Sequence, residues 1–113
     1  MEGQALPHGA PTIEVVVRGN LDAASARSVR DTLQDAIARA PQTLIIDLSE
    51  CPTIDAAGIL LLLEVHRRAI HNGGSMALRS PGERLRRNLR LARVDRVLQV
   101  IGPAPGAEET AAQ

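Results

Sequence analysis

Two aspartates are the residues best placed for acid–base or metal chemistry. Asp47 and Asp55 lie at or just beyond the end of a predicted central strand, the edge of an open α/β sheet where ligands usually bind. Paired carboxylates there could bind Mg²⁺ or act as acid and base. Asp55 also stands immediately before a predicted helix, where Asp is a frequent N-cap that accepts a hydrogen bond from a first-turn amide. We favour the capping role.

The other reactive residue types lack the neighbours that catalysis requires. His66 and His71 are five residues apart, a spacing that does not bring two imidazoles together on one helix face. Cys51 is the only cysteine, and no residue near it in the sequence identifies a general base. The glycines match neither common phosphate-loop pattern. We therefore predict no metal, no cofactor and no enzymatic activity.

Composition restricts the classes of partner. The chain of 113 residues is long enough for one domain, has no aromatic residue on which to stack nucleobases, and balances 13 basic with 13 acidic residues. We expect no direct contact with nucleic acid. Six arginines fall between Arg84 and Arg96, where they could meet phosphate or an acidic partner, but we interpret them as the solvated face of a helix.

Nothing in the sequence indicates membrane insertion or export. The longest apolar run, Ile59 to Leu63, is far shorter than the roughly 18 residues that a membrane-spanning segment needs. No basic-plus-apolar signal segment opens the chain, so we expect a cytoplasmic protein without a membrane partner.

Strand and helix patterns alternate along the chain, which predicts an α/β fold with a mainly parallel sheet. We expect a mobile arm or short edge strand over 1–12, one domain over 13–101, and a disordered tail over 102–113. The predicted elements are a strand in TIEVVVRG (12–19), a helix from Asp22 to Pro41, a strand in TLIIDLS (43–49) covered on both faces, a helix from Asp55 to Asn72 or Gly73, a strand in SMALRS (75–80), a helix opening with Pro81, and a closing segment from Val97 to Ile101.

The leucine-rich helix offers a candidate binding surface. If it begins at Ala56, positions 59, 62, 63, 66 and 70 form the face that packs on the sheet. Leu60 and Leu61 then lie off that face, near Ala56 and Ala57 at the helix start. We expect a smooth apolar patch there, which either binds a protein or is covered by another part of the chain.

Three sequence blocks resemble the STAS domain in its stand-alone bacterial form, the anti-sigma factor antagonist. The blocks are VVVRGNLDAASA, TLIIDLSECPTIDAAGILLLLEVHRRAIHNGGSMALRSP and LRLARVDRVLQV. The resemblance implies a small STAS-like α/β domain, with a mainly parallel mixed sheet of about four strands flanked by three to four helices. It also implies a regulatory role and, as partner, a serine-kinase anti-sigma factor that releases its sigma factor on binding.

The chain departs from that family at two places. The segment aligned with Asp55-Ala-Ala-Gly58 commonly reads Asp-Ser-Ser-Gly or Asp-Ser-Thr-Gly in that family, and the partner kinase phosphorylates the first hydroxyl residue. Here that position is Ala56, so phosphorylation there is absent. The family also has a strand before the one that starts near Ile13, and its loss would leave a sheet edge that could pair with a second copy as a homodimer.

The resemblance leaves two functions open. The first is an antagonist that stays unphosphorylated at the family position; the alternative is a STAS scaffold subunit of a signalling assembly or of a lipid ABC transporter. The residues that we predict to contact the partner are Asp22, Thr53, Asp55, Ala56, Ala57, Gly58, Leu60 and Leu61.

Overall fold

The computed structural model describes residues 11–104, and in this range strands and helices alternate as predicted. Their bounds are β1 Thr12–Val16, α1 Ala26–Ile37, β2 Thr43–Asp47, α2 Ala56–His71, β3 Ser75–Arg79, α3 Glu83–Leu91 and β4 Gln99–Ile101. Much of the predicted arm and tail, at 1–10 and 105–113, lies outside the described residues.

The four described strands form one sheet in the order β1-β2-β3-β4, and all three pairings are parallel. The predicted α/β fold with a mainly parallel sheet is confirmed, although no antiparallel pair occurs among residues 11–104. The strands follow one another in chain order, so right-handed crossovers carry every connecting helix to the same face of the sheet.

The hydrophobic core lies between that face and the helices. One buried cluster combines Leu33 of α1, Leu62 of α2 and Leu85 of α3 with Leu44 and Ile46 of β2. Ile45 is also buried but stands outside the cluster, because alternate residues of a strand point to opposite faces. The prediction that the central strand is covered on both faces agrees with the burial of Leu44, Ile45 and Ile46, although all three described helices lie on one face.

An ion pair spans the other face of the sheet. Arg79 on β3 donates from Nε to Oε2 of Glu14 on β1, at 3.0 Å, and from Nη1 to the carbonyl oxygen of Gly102, at 2.9 Å. Because β2 lies between β1 and β3, the guanidinium group crosses β2 near Ile45. The Arg79 side chain is only 12% exposed, so this charge is held close to the sheet.

The predicted limits of the first helix need correction at both ends. Asp22 does not begin α1: the helix starts at Ala26, and residues 22–25 form a turn in which Asp22 and Ser25 hydrogen-bond each other's backbone N–H through their side chains, both at 3.1 Å. Pro41 does not end it either. The helix stops at Ile37, and Ala40, with a φ of 50°, has already turned the chain before the proline.

The second helix matches its predicted limits closely. Asp55 is its N-cap and Asn72 its C-cap. The third helix begins at Glu83, two residues after Pro81, with Gly82 as N-cap. The first turns of α2 and α3 therefore lie at the carboxyl edge of the sheet, where β1, β2 and β3 end.

Candidate partner-binding site at the start of α2

Two loops that leave the carboxyl edge of the sheet lie side by side. The Gly19 N–H donates to the Glu50 carbonyl at 2.9 Å, the Leu21 N–H donates to the Thr53 carbonyl at 3.0 Å, and the Asp55 N–H donates to the Leu21 carbonyl at 3.2 Å. Leu21 and Ile54 form an isolated parallel bridge, so the two loops prolong the pairing of β1 and β2 beyond the strands. This pairing fixes the start of α2 against the segment before α1.

The two loops end in matching Asp-Ala-Ala turns. Asp22 Oδ1 accepts from the Ser25 N–H at 3.1 Å, and Asp55 Oδ1 accepts from the Gly58 N–H at 3.1 Å. The second oxygen of Asp55 accepts from the Ala23 N–H at 3.3 Å, which joins one turn to the other. The capping role predicted for Asp55 is confirmed, and the carboxylate has a second role that the sequence did not reveal.

Gly58 allows the two loops to approach this closely. It is buried, and a Cβ atom at this position would lie 2.5 Å from the Leu21 carbonyl oxygen and 2.8 Å from a side-chain carbon of Ile54. Real Cβ atoms essentially never come that near another heavy atom. Gly58 therefore supports the site from beneath, and a partner has no access to it.

The outer surface of the paired turns is made of small and apolar groups. Ala23, Ala24 and Ala56 are exposed, Ala57 is half-buried, and Leu60 one turn along α2 is 63% exposed. We call these five residues, together with Asp22 and Asp55, the α2 start surface. Among the described residues neither of its two carboxylates forms an ion pair, so the surface combines apolar contact area with unpaired negative charge.

The prediction placed the face of α2 that packs on the sheet about one residue too far along the helix. Gly58, Leu61, Leu62, Val65 and Ala69 are the buried residues, whereas Ile70 is 56% exposed. The prediction that Leu61 lies off the packing face is wrong: it is fully buried in the core. Of the two adjacent leucines proposed to contact a partner, only Leu60 can do so in this structure.

Thr53 and Cys51 belong to the support of the site. Thr53 is half-buried, and its carbonyl accepts from Leu21 N–H and from the Cys51 thiol, the latter at 3.3 Å. Burial raises the pKa of the Cys51 thiol, which disfavours the reactive thiolate. Asn88 on α3 donates to the Ile54 carbonyl at 3.3 Å and ties the third helix to the same loop.

The two aspartates considered for catalysis serve separate local structures. Asp47 Oδ1 accepts from the Ser49 N–H at 2.8 Å and from its hydroxyl at 2.7 Å, while Asp55 caps α2 and binds Ala23. Within residues 11–104 no group of three His, Cys, Asp or Glu side chains could hold a metal ion. No helix in this range is long and apolar enough to cross a membrane.

Sequence reasoning missed the contribution of the segment before α1. Ala23 and Ala24 lie next to the start of α2 because the two turns pair. The signal was present in the sequence as the repeated Asp-Ala-Ala of 22–24 and 55–57, each followed by a small residue.

This fold and this surface define a class of protein. Its members are small parallel α/β domains with an exposed, capped helix start at the carboxyl edge of the sheet. The chain belongs to the STAS family, since the family model described as "Mlab, STAS domain" matches residues 6–101.

Solved structures agree with that assignment of the fold. A candidate anti-sigma factor antagonist from Thermotoga maritima superposes with a TM-score of 0.74 at 20% identity, over 91% of this chain and 89% of that one. An anti-sigma factor antagonist from Mycobacterium paratuberculosis gives a TM-score of 0.74 at 23% identity, over 89% and 85%. A sulfate transporter family protein from Wolinella succinogenes gives 0.65 at 24% identity, over 81% and 75%.

Proposed function

We propose that this protein is a non-enzymatic regulatory module of the cytoplasm that binds an anti-sigma factor of the serine-kinase type and thereby frees a sigma factor. The α2 start surface is the contact site in this proposal. The similarity to anti-sigma factor antagonists supports the role, and the exposed alanines beside Leu60 support the place.

The observation that carries the proposal is the exposure of Leu60 beside two rigidly held turns. A leucine that is 63% exposed adds little to folding but offers apolar area to a partner. The turns that surround it are fixed by backbone pairing and by Asp55, so little ordering entropy is lost when a partner binds. A preorganised apolar surface of this kind suits protein recognition.

The alanine at position 56 gives the proposed antagonist a fixed state. A phosphate at this position would add about −1.5 to −2 charges. It would lie close to the carboxylates of Asp22 and Asp55, which make no ion pairs among residues 11–104. Ala56 has no oxygen to modify, so no phosphate can be added at this position of the α2 start surface.

Affinity capture followed by a binding measurement tests the proposal. The tagged protein is used to capture partners from the cytoplasm of its source, and the captured anti-sigma factor is then purified and titrated by calorimetry. We expect Ala57→Asp and Leu60→Gln each to weaken binding at least about 10-fold, since both place polar groups in an apolar contact.

Ile70→Gln is the matched control. Ile70 is 56% exposed and lies ten positions after Leu60 on α2, about 15 Å along the helix axis, so its substitution changes a similarly exposed aliphatic residue away from the α2 start surface. Equal loss of binding in the control, or no binding to any serine-kinase anti-sigma factor, would contradict the proposal.

The alternative role is that of a STAS scaffold subunit in a signalling assembly or a lipid ABC transporter. The alanine at the family's phosphorylation position suits a constitutive subunit, and the similarity to a sulfate transporter family protein shows that the fold also occurs in a transporter family. Capture of a transporter ATPase in equal amounts by the original chain and by the Ala57→Asp variant would favour this role.

Homodimerisation through β1, which is an edge strand among the described residues, stays a prediction to be tested by light scattering.

A further inference from the structure

A groove runs between α3 and the outer edge of β4. Its apolar floor consists of the buried Leu89 of α3, the buried Leu98 just before β4 and the half-buried Val100 within β4. The cavity has a volume of about 240 Å³. We call this cavity the α3–β4 groove.

Charged and polar side chains form the rim of the α3–β4 groove. Arg86, Arg90, Asp95 and Gln99 line the same cavity, and all four residues are exposed. No ion pair among residues 11–104 involves either arginine or the aspartate. The rim therefore presents two guanidinium groups whose charge nothing in the described part of the chain neutralises.

The contact between α3 and the start of α2 sets the direction of the two arginines. Asn88 donates to the Ile54 carbonyl at 3.3 Å, so one flank of α3 faces the loop that leads into α2. A helix turns by about 100° per residue, and therefore Arg86 and Arg90, two positions before and after Asn88, lie on nearly the opposite flank. That flank faces the edge of the sheet, where both arginines line the groove together with residues of β4.

The outer hydrogen-bonding groups of β4 border the same groove. β4 is an edge strand among the four described strands. The Ile101 carbonyl accepts from the Ser80 N–H at 2.9 Å, which directs the backbone groups of Ile101 towards β3. Neighbouring residues of a strand direct their backbone groups to opposite sides, so the N–H and C=O of Val100 point away from β3. An edge of this kind can accept a further strand.

Helix stability does not account for the arginine pair. A basic residue in the last turn interacts favourably with the helix dipole, which explains Arg90 but not Arg86. The exposed Arg84 and Arg87 of the same helix do not line the groove, so they provide its solvated side. Two unpaired guanidinium groups above an apolar floor and beside a strand edge match the chemistry of an acidic peptide.

We propose that the α3–β4 groove binds an extended acidic segment of a partner protein, which adds to the sheet beside β4. The backbone of this segment bonds to the N–H and C=O of Val100, and two of its carboxylates pair with Arg86 and Arg90. The two arginines lie about 6 Å apart along the helix axis, and alternate residues of a strand lie about 7 Å apart on one face. A Glu-x-Glu segment therefore fits the arginine pair.

The same spacing disfavours the carboxyl-terminal segment of the chain itself as the occupant. Its acidic residues, Glu108 and Glu109, are adjacent in the sequence. Adjacent residues of a strand point to opposite faces, so in an extended segment only one of these carboxylates could pair with the arginines. Asp95 on the rim would repel a third carboxylate, which limits the partner segment to two acidic side chains on the face towards α3.

This inference goes beyond the proposed function, because it uses the flank of α3 that faces away from α2 and the α2 start surface. Fluorescence anisotropy of a labelled peptide tests it with the full chain. The probe is the synthetic peptide TVTETETVT, in which both glutamates and both valines share one face of a strand. We expect this peptide to bind more tightly than TVTQTQTVT, which lacks the charges. It should also bind more tightly than TVTEETTVT, which has the same composition but puts its glutamates on opposite faces.

Substitution of the arginine pair tests the place of binding. Arg86→Gln with Arg90→Gln should weaken binding of TVTETETVT about 10-fold, because two partly exposed ion pairs are lost. Arg84→Gln with Arg87→Gln is the matched control, since it removes the same charge from the side of α3 that does not line the groove. Binding to the control should stay within about 2-fold of binding to the unsubstituted chain, because solvent screens charges that make no contact.

Amide exchange tests the strand addition. The bound peptide should slow exchange at the Val100 N–H, which points away from β3 in the free protein. The Ile101 N–H faces β3 and should be protected with and without peptide.

Five results would overturn the proposal. The first is no binding of TVTETETVT at low salt. The second is equal binding of the two glutamate peptides, and the third is equal loss in both arginine pairs, which would show that net charge alone is responsible. The fourth is unchanged exchange at the Val100 N–H in the presence of bound peptide. The fifth is much tighter peptide binding after Glu108→Gln with Glu109→Gln, which would assign the groove to the chain's own segment. Circular dichroism and thermal unfolding of each variant establish that every comparison uses folded protein.

Discussion

Gly58 in the first turn of α2 lies directly beneath the backbone carbonyl of Leu21. A Cβ atom on Gly58 would come within 2.5 Å of that oxygen. The Leu21 carbonyl cannot retreat freely, since it accepts a hydrogen bond from the Asp55 N–H at 3.2 Å. The contact therefore links the position of α2 to the loop before α1, and the α2 start surface depends on it.

Gly58→Ala should destabilise the protein. Replacing glycine by alanine inside a helix normally gains up to about 1 kcal/mol, but overpacking against backbone costs about 1–3 kcal/mol. We expect a lower midpoint of urea unfolding and a net loss of about 1–2 kcal/mol, because the atom that meets the new methyl group is a backbone oxygen.

Gly102→Ala is the control for this substitution. A Cβ atom there would meet no heavy atom within 4 Å, and the residue lies in the exposed segment after β4. We expect no loss of stability in this variant. A Gly58→Ala protein as stable as the original would show that the two loops can separate without cost.

Ala56→Ser should create a phosphorylation site that the natural chain lacks. Position 56 is exposed in the first turn of α2, so a hydroxyl there is accessible to a kinase. Incubation with the captured serine-kinase anti-sigma factor and ATP should add about one phosphate to the variant and none to residue 56 of the original, as measured by mass spectrometry. The added charge should then weaken binding of the kinase.

Ala24→Ser is the control for this change, since it puts a hydroxyl at an exposed position on the neighbouring turn. Stoichiometric phosphate on the unsubstituted protein would contradict the proposal that phosphorylation does not switch this protein. Phosphate on both serine variants would show that exposure, and no specific recognition of α2, determines the reaction.

Much of the fold could be predicted because its signals are local. The apolar run at 44–46 bounded by turns gave β2, and Asp55 with Asn72 gave the limits of α2. The start of α1 was missed since Asp22 has the residue type of an N-cap but its side chain closes a preceding turn. Local sequence does not distinguish those two uses of an Asx side chain.

The site was harder to predict because its determinants are not local. A run of four leucines from Leu60 to Leu63 has no period, so it does not indicate which of two adjacent helix faces packs on the sheet. The small residues Gly58 and Ala69 are buried and settle the face as one that contains Leu61. The contribution of Ala23 depends on a hydrogen bond to a residue 32 positions away.

Asp55→Ala should destabilise α2 more than Asp55→Asn does. Loss of an Asp N-cap costs about 1 kcal/mol, whereas Asn caps about as well as Asp. The alanine variant also loses the bond to the Ala23 N–H, so its paired turns should loosen and amide exchange at Ala23 should accelerate. Urea unfolding and amide exchange measure the two effects.

Asp31→Ala serves as control, because Asp31 is an exposed residue within α1 where alanine is the better helix former. We expect it to be neutral or slightly stabilising. Equal stability of the two Asp55 variants would argue that the cap contributes nothing.

Arg79→Met should lower stability through the face of the sheet opposite the helices. The substitution keeps the apolar stem but removes the bonds to Glu14 and to the Gly102 carbonyl. Hydrogen bonds with a charged partner contribute about 1.5–3 kcal/mol. The Glu14 side chain is 35% exposed and solvent screens the pair, so we expect a loss of about 1 kcal/mol in urea unfolding.

Arg18→Met is the matched control, because the Arg18–Glu50 pair has side chains that are 70% and 55% exposed. Such a pair should contribute less than about 0.5 kcal/mol. A double-mutant cycle of Arg79→Met with Glu14→Gln isolates the ion pair. A coupling energy near zero would assign the effect of Arg79 to its carbonyl bond or its stem.

Cys51 should make the protein less stable as the solution becomes alkaline. Burial raises the pKa of its thiol in the folded state, so the unfolded chain releases this proton at lower pH than the folded protein. At pH values above the ordinary thiol pKa of about 8.5, the unfolded state therefore binds fewer protons than the folded state. The free energy of unfolding then decreases with rising pH. Cys51→Ala should abolish this part of the pH dependence in unfolding experiments between pH 7 and 10.

Alkylation gives an independent measurement of the same burial. At pH 8 iodoacetamide should modify Cys51 at least about 10-fold more slowly in the folded protein than in urea, because the reactive thiolate is both scarce and covered. Rapid alkylation of the folded protein would mean that the loops over Cys51 open frequently. The α2 start surface, which rests on those loops, would then also open in the absence of a partner.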